Sequence, residues 1–156
     1  NPANADVHLG SFYHLPFAVK MTETLQAAES QDVGRTLFFQ GMEGYDDVRP
    51  GTTIVGEWNA GDEELADFEI QTANYGMDFE SEDLGVDDVA GDSAEITEAV
   101  LAGERDDQFA DAVALNAALR VYAREDADSL DEGLELARET IDSGDAAARL
   151  DALRGF

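Results

Sequence analysis

Thr36-Leu37-Phe38-Phe39 is an unbroken apolar run of strand length, and it constrains the fold more than any other segment. A half-exposed strand alternates apolar and polar residues, whereas a run without alternation fits a strand covered on both faces, as in a parallel sheet clad in helices. The residues before it complete such a unit. Val7-His8-Leu9-Gly10-Ser11-Phe12 predicts a short strand. Pro16 then suits the first turn of a helix, where its missing N–H removes no intrahelical bond. Phe17, Met21, Leu25 and Ala28 recur at helical spacing and predict one apolar stripe on a helix of about 15 residues. With Gly34 closing the connection, strand, helix and strand make a βαβ unit the economical reading.

The run is followed by Gln40-Gly41-Met42-Glu43-Gly44-Tyr45-Asp46-Asp47-Val48-Arg49-Pro50-Gly51, a segment rich in glycine and acid. Ligands of open α/β sheets bind outside the carboxyl ends of the strands, so this loop is the best placed in the chain for chemistry. Thr52 to Trp58 reads as another strand, turning at Asn59-Ala60-Gly61-Asp62. Asp67-Phe68-Glu69-Ile70-Gln71-Thr72 alternates strictly and pairs with it as an edge hairpin.

Beyond this the pattern is helical. Asp92 with Glu95 predicts a capped start to a helix through Leu101, stopped at Gly103. Phe109, Val113, Ala117 and Val121 form one ridge of the next helix. Ala110, Ala114, Ala118 and Tyr122 form a small-residue ridge that permits close packing. Ser129 and Glu132 make a capping box, followed by Leu130, Leu134, Ala137 and Ile141 and a stop at Gly144; a last short helix begins at Asp145. The expected architecture is α/β: a largely parallel βαβ-type sheet with an edge hairpin and a helical C-terminal half, one domain over residues 1–156 and part of a larger α/β domain.

Charge bears on partners. Asp and Glu number 36 against 9 Lys and Arg, giving a formal charge of −27. Nucleic acid is held largely by cation contacts to phosphate, so this surface argues against it, and it argues equally against a cationic membrane-surface helix. The acids run from Asp6 to Asp151 rather than forming a tail. Such mutual repulsion is largely screened in about 1 M salt, where the Debye length falls to about 3 Å. The composition is therefore read as adaptation to a salt-rich cytoplasm, with a halophilic, archaeal source expected. Absence of cysteine removes disulfides, thiolate metal sites and cysteine nucleophiles. A calcium loop at Asp126-Ala127-Asp128-Ser129-Leu130-Asp131-Glu132-Gly133 fails because its glycine is misplaced and Ala137 stands where the closing glutamate belongs.

The order of landmarks resembles the C-terminal part of the anthranilate phosphoribosyltransferase family. Asn1-Pro2-Ala3 matches the end of its G-P-L-x-N-P-A segment, and Gly10-Ser11-Phe12-Tyr13 follows at similar spacing. Gln40-Gly41-Met42-Glu43-Gly44-Tyr45-Asp46-Asp47 resembles its H-G-x-x-G-L-D-E turn. Ala99 to Glu104, Asp111 to Ala118, and Ser129 to Gly144 echo its downstream segments in order. The resemblance implies transfer of 5-phosphoribosyl from phosphoribosyl pyrophosphate to the amine of anthranilate, a step of tryptophan synthesis. Two Mg2+ ions are implied as cofactors, with Asp46 and Asp47 as metal ligands; the second position is Glu in the family and Asp here. Arg49 is a candidate phosphate contact, with Lys20 the other suitable cation, and Glu43 a possible helper acid. His14 reads as a helix-start residue, Asn116 as an amide satisfying a neighbouring backbone group, and Trp58 and Phe68 as hairpin packing.

The family's phosphate loop, its K-x-G-N segment and its anthranilate-holding arginine all precede the segment matched by Asn1. This chain alone is thus expected to be inactive, with the missing N-terminal half of the same protein as partner and a homodimer possible for the intact molecule. Two other readings remain open. One is a divergent non-tryptophan relative that binds a ligand or nucleic acid without this catalysis; the other is a non-catalytic acidic domain that kept only the fold.

Overall fold

The computed structural model of the chain describes residues 5–28, 33–40 and 47–155. They fall into two compact units, Asn1–Gly76 and Met77–Phe156. The first contains strand β1 (Val7–Ser11), helix α1 (Leu15–Gln26) and strands β2 (Arg35–Phe39), β3 (Thr52–Asn59) and β4 (Ala66–Gln71). They build one four-stranded sheet in the order β1-β2-β3-β4.

β1 and β2 run parallel, with Leu9 opposite Leu37. Both faces of β2 are covered, as its unbroken apolar run predicts: Thr36 and Phe38 on one side, Leu37 and Phe39 on the other, are all buried. The expectation of a largely parallel sheet needs correction, however. β2–β3 and β3–β4 are both antiparallel, with Phe38 opposite Gly56 and Val55 opposite Phe68. A parallel partner requires a crossover of a dozen or more residues, usually a helix. Between Phe39 and Thr52 no helical periodicity is present, so the chain doubles back, and parallel pairing stops at β1–β2.

The face that α1 buries also differs from the predicted stripe. Ala18 and Thr22 are the buried positions, and Ala18 packs with Phe12 and Phe38 while Leu15 and Leu25 close the sides. Phe17 and Met21 remain 56% and 36% exposed. Small side chains decide the matter: Ala18 and Thr22 let the helix approach closely enough for the Thr22 and Thr36 hydroxyls to share a buried hydrogen bond of 3.2 Å. A bulky stripe facing the sheet would hold the helix away.

On the opposite face of the sheet Arg35 and Glu57 form an ion pair with side chains only 10% and 14% exposed. Neither residue stands out in the sequence, because the pair exists only once the antiparallel register brings β2 and β3 together. Trp58 and Asn59 fasten the hairpin turn as expected. The indole Nε1 donates to the Asp62 carbonyl at 3.0 Å, and the Asn59 backbone donates to the Asp62 carboxylate at 3.0 Å.

The second unit is helical: α2 (Val89–Leu101), α3 (Gln108–Ala123), α4 (Leu130–Asp142) and α5 (Asp145–Arg154). α2 begins one turn before the predicted start. Asp88 takes the N-cap, its carboxylate accepting from Ala90 N, while Asp92 reaches back to the N–H groups of Asp87 and Asp88. At its end Gly103, with φ of 71°, donates to Val100 O and Glu104 to Ala99 O, the double bond pattern of a glycine-terminated helix. α4 starts as predicted, with Ser129 Oγ accepting from Glu132 N; the Glu132 carboxylate accepts from Asp128 N instead of the cap residue itself. Its inward positions Leu134 and Ala137 meet α3, whose buried ridge is Ala114, Ala118 and the adjoining Leu115 and Leu119. Gly133 sits so close to α3 that a Cβ there would lie 2.8 Å from Ala118 O.

Candidate substrate and metal loop

Parallel pairing places the carboxyl ends of β1 and β2 side by side, and Phe12 N donates to Phe39 O at 3.0 Å just past the ladder. α1 opens shortly beyond β1, so its N-terminus, where backbone N–H groups point outward, lies at this same end. The segment from Gln40 to Gly51 emerges here. Gln40 N is anchored on Ile54 O at 2.9 Å. Residues 41–46, and with them Glu43 and Asp46, lie outside the described residues, as does Asn1-Pro2-Ala3.

Asp47 is exposed, whereas Val48, its neighbour, is 4% exposed and serves as an apolar anchor. Arg49 follows half-buried. Its backbone N–H donates to Thr53 Oγ1 at 3.2 Å and its guanidinium Nε to Thr52 O at 2.9 Å. The loop then closes through Gly51, whose φ of 86° favours glycine. Gly51 N donates to Thr72 Oγ1 and Thr72 N to Gly51 O, both at 3.0 Å, tying the loop to the end of β4. Arg49 is thus fastened to β3 and Gly51 to Thr72 just past β4, with Asp47 two residues before Arg49 on the same segment.

The remaining candidates go elsewhere. Lys20 is an exposed residue of α1 paired with Glu23 at 3.0 Å. His14 is the N-cap residue of α1, without a side-chain cap, and its ring lies against those of Tyr13 and Phe17. Asn116 donates to Ala112 O one turn back at 2.9 Å, the backbone-satisfying role expected of it. Among the described residues no three His, Asp or Glu side chains converge to hold a metal ion. Asp47 nevertheless offers what magnesium uses, since that ion takes one or two carboxylates, keeps several waters and fills its remaining positions with substrate phosphate oxygens.

Residues 1–147 match the glycosyl transferase family, a/b domain. The chain belongs to that family. Its relatives include the anthranilate phosphoribosyltransferases of Aromatoleum aromaticum, 32% identical over the whole of this chain and 44% of the relative, and of Rubrobacter xylanophilus, 32% identical over 97% of this chain and 43% of the relative. The crystal structure of anthranilate phosphoribosyltransferase from Thermus thermophilus superposes with a TM-score of 0.63 at 30% identity, covering 76% of this chain and 34% of that one. The resemblance carried by the ordered motifs therefore holds along the whole chain. The chain spans less than half the length of the curated relatives it matches. No helix among the described residues is long and apolar enough to cross a membrane.

Proposed function

We propose that this chain supplies the acidic loop of a magnesium-dependent phosphoribosyltransferase whose acceptor is anthranilate. The observation that carries the reading is the match to enzymes of that name over the entire chain. In the reaction the anthranilate amine nitrogen forms a bond to C1 of the ribose as the bond from C1 to pyrophosphate breaks, and the amine loses a proton. Magnesium, when bound, neutralises charge developing on the departing pyrophosphate. Asp46 and Asp47 are the residues that would hold the ion, their carboxylates being ligands of the kind magnesium takes. Asp47 is one methylene shorter than the glutamate of the resemblance and would contribute its carboxylate to that site. Arg49, half-buried and oriented by Thr52 and Thr53, presents its outer guanidinium nitrogens to a phosphate oxygen. The rest of the family's length supplies the phosphate loop and the acceptor pocket, so the 156-residue chain by itself does not turn over.

The acidic surface sets the working medium as molar salt. The test is pyrophosphate release by the family-length protein in molar KCl with phosphoribosyl pyrophosphate, Mg2+ and anthranilate. Release that requires all three is expected, and its absence removes the reading. Replacing both acids (Asp46→Asn with Asp47→Asn) is expected to raise the magnesium concentration for half-maximal rate at least roughly tenfold while leaving the circular dichroism spectrum unchanged. An unaltered magnesium requirement refutes the metal assignment.

A further inference from the structure

Among the described residues the buried polar ones are Thr22, Arg35, Thr36, Thr53 and Thr72. Burying a hydroxyl or a charge is unfavourable unless it finds a partner, so the partner of each is informative. Thr22 and Thr36 bond each other between α1 and β2, and Arg35 pairs with Glu57 within the sheet. The last two turn to the loop instead. Thr53 Oγ1 accepts from the Arg49 backbone N–H at 3.2 Å, and Thr72 Oγ1 accepts from that of Gly51 at 3.0 Å. Thr53 is fully buried and Thr72 is 4% exposed. Valine has the shape of threonine without the hydroxyl, so packing alone gives no reason for threonine at either place.

Pro50, between Arg49 and Gly51, has a fixed φ and no N–H to bond. Both backbone donors of Arg49-Pro50-Gly51 therefore go to a buried threonine hydroxyl. Thr72 also returns its own N–H to Gly51 O at 3.0 Å, so the tripeptide is held on the end of the β3–β4 ladder. The side chain it carries is unlike most cations of the molecule. Lys20, Arg35, Arg105, Arg124, Arg138 and Arg154 each pair with a carboxylate. Arg49 pairs with none among the described residues, and its Nε donates to Thr52 O at 2.9 Å. In a chain of charge −27, a guanidinium oriented by a backbone oxygen keeps its other N–H groups for an anionic ligand.

We infer that Thr53 and Thr72 are positioning residues, whose buried hydroxyls fix the backbone on either side of Pro50 and so set where the Arg49 guanidinium meets a phosphate of the substrate. The inference deepens the proposed function and rests on its reading of Arg49 as a phosphate contact. Neither threonine touches the substrate; both act through the arginine.

The test uses the family-length protein in molar KCl with Thr53→Val and Thr72→Val, each alone and combined with Arg49→Ala. Binding of inorganic pyrophosphate with Mg2+ is measured by calorimetry, beside the kinetics with phosphoribosyl pyrophosphate and anthranilate. Each valine variant is expected to weaken pyrophosphate binding and to raise KM for phosphoribosyl pyrophosphate at least roughly fivefold, with KM for anthranilate unchanged. In the Arg49→Ala background the same substitutions are expected to change neither quantity, because the hydroxyls act through that side chain. Thr53→Ser and Thr72→Ser retain the oxygen and are expected to bind pyrophosphate within about twofold of the unaltered protein. Exchange of the Gly51 amide is expected to quicken in Thr72→Val and not in Thr72→Ser. If a valine variant does not fold, alanine at that position takes its place in the cycle. Equal losses with and without Arg49, serine variants as weak as the valine ones, or pyrophosphate binding indifferent to Arg49 or to the threonines each overturn the proposal. Binding that follows the expected pattern in a protein that releases no pyrophosphate leaves the positioning in place while counting against the enzymatic reading. Normal release that ignores the threonines does the reverse.

Discussion

Asp107 caps α3 with one carboxylate oxygen, accepting from Phe109 N at 3.1 Å and Ala110 N at 3.4 Å, and holds Arg105 with the other. Arg105 in turn lies over the Phe109 ring at 5.0 Å. The Arg105 hydrogen bond, reinforced by the two backbone donors, keeps this carboxyl below its ordinary 3.8. Because the folded pKa is depressed, the associated stability is present above about pH 4 and is lost as pH falls through the folded value. Asp107→Ala is expected to cost about 1–2 kcal/mol at neutral pH, read by denaturant unfolding in molar salt. His8 has the same sign from a different cause. Burial disfavours its imidazolium and lowers its pKa from 6.5, so the unfolded chain takes up a proton there before the folded one does. The stabilising contribution is therefore present above about pH 6.5 and declines below it, and an NMR titration is expected to show a His8 midpoint under 6.5. A midpoint at or above that value excludes burial as the controlling influence.

At the scale of elements, α4 lies tightly against α3 at Gly133. Gly133→Ala adds about 1 kcal/mol of helix propensity, yet the new methyl would stand 2.8 Å from Ala118 O and 3.3 Å from Ala118 Cα, both backbone atoms that cannot swing aside. Overpacking of this kind costs about 1–3 kcal/mol, so a net loss is expected in the unfolding midpoint, and a gain would show that the helices are separable at this point. The ion pair between Arg138 and Asp111 at 2.9 Å spans the same two helices but is substantially exposed, and adds little by comparison. Most of these elements are legible in the sequence. Ser129, Gly103 and Gly144 mark helix ends through bonds within a few residues, and the burial of Leu134 and Ala137 follows from spacing alone. The α1 stripe shows the limit: Phe17 and Met21 have the right period and lie beside the buried face, since Ala18 and Thr22 permit a closer contact with β2.

Over the whole molecule, electrostatics is set by number rather than position. Lys20, Arg35, Arg105, Arg124, Arg138 and Arg154 each pair with a carboxylate, and the excess of −27 remains after all cations are counted. Lowering KCl from about 2 M to below about 0.2 M lengthens the Debye length from under about 3 Å to more than about 7 Å, and repulsion then acts between neighbouring surface acids. Expansion or unfolding at low salt is expected by circular dichroism, and equal thermal midpoints at both concentrations count against adaptation to a salt-rich medium. The candidate loop is legible at its ends, where Asp47 and Arg49 lie between a buried strand and a glycine turn. Its fastening to Thr72 is not, for Gly51 and Thr72 are far apart in sequence and meet only when β3 and β4 pair. By itself the sequence determined the kind and order of the elements, the acidic surface and the family, since periodicity, capping and motif order are local or additive properties. Tertiary structure alone decided that β3 runs against β2, that α1 turns its small residues inward, and that Arg35 finds Glu57. Each depends on which distant segments come within a few ångströms, and close packing lets side-chain size, as well as apolarity, select among the alternatives.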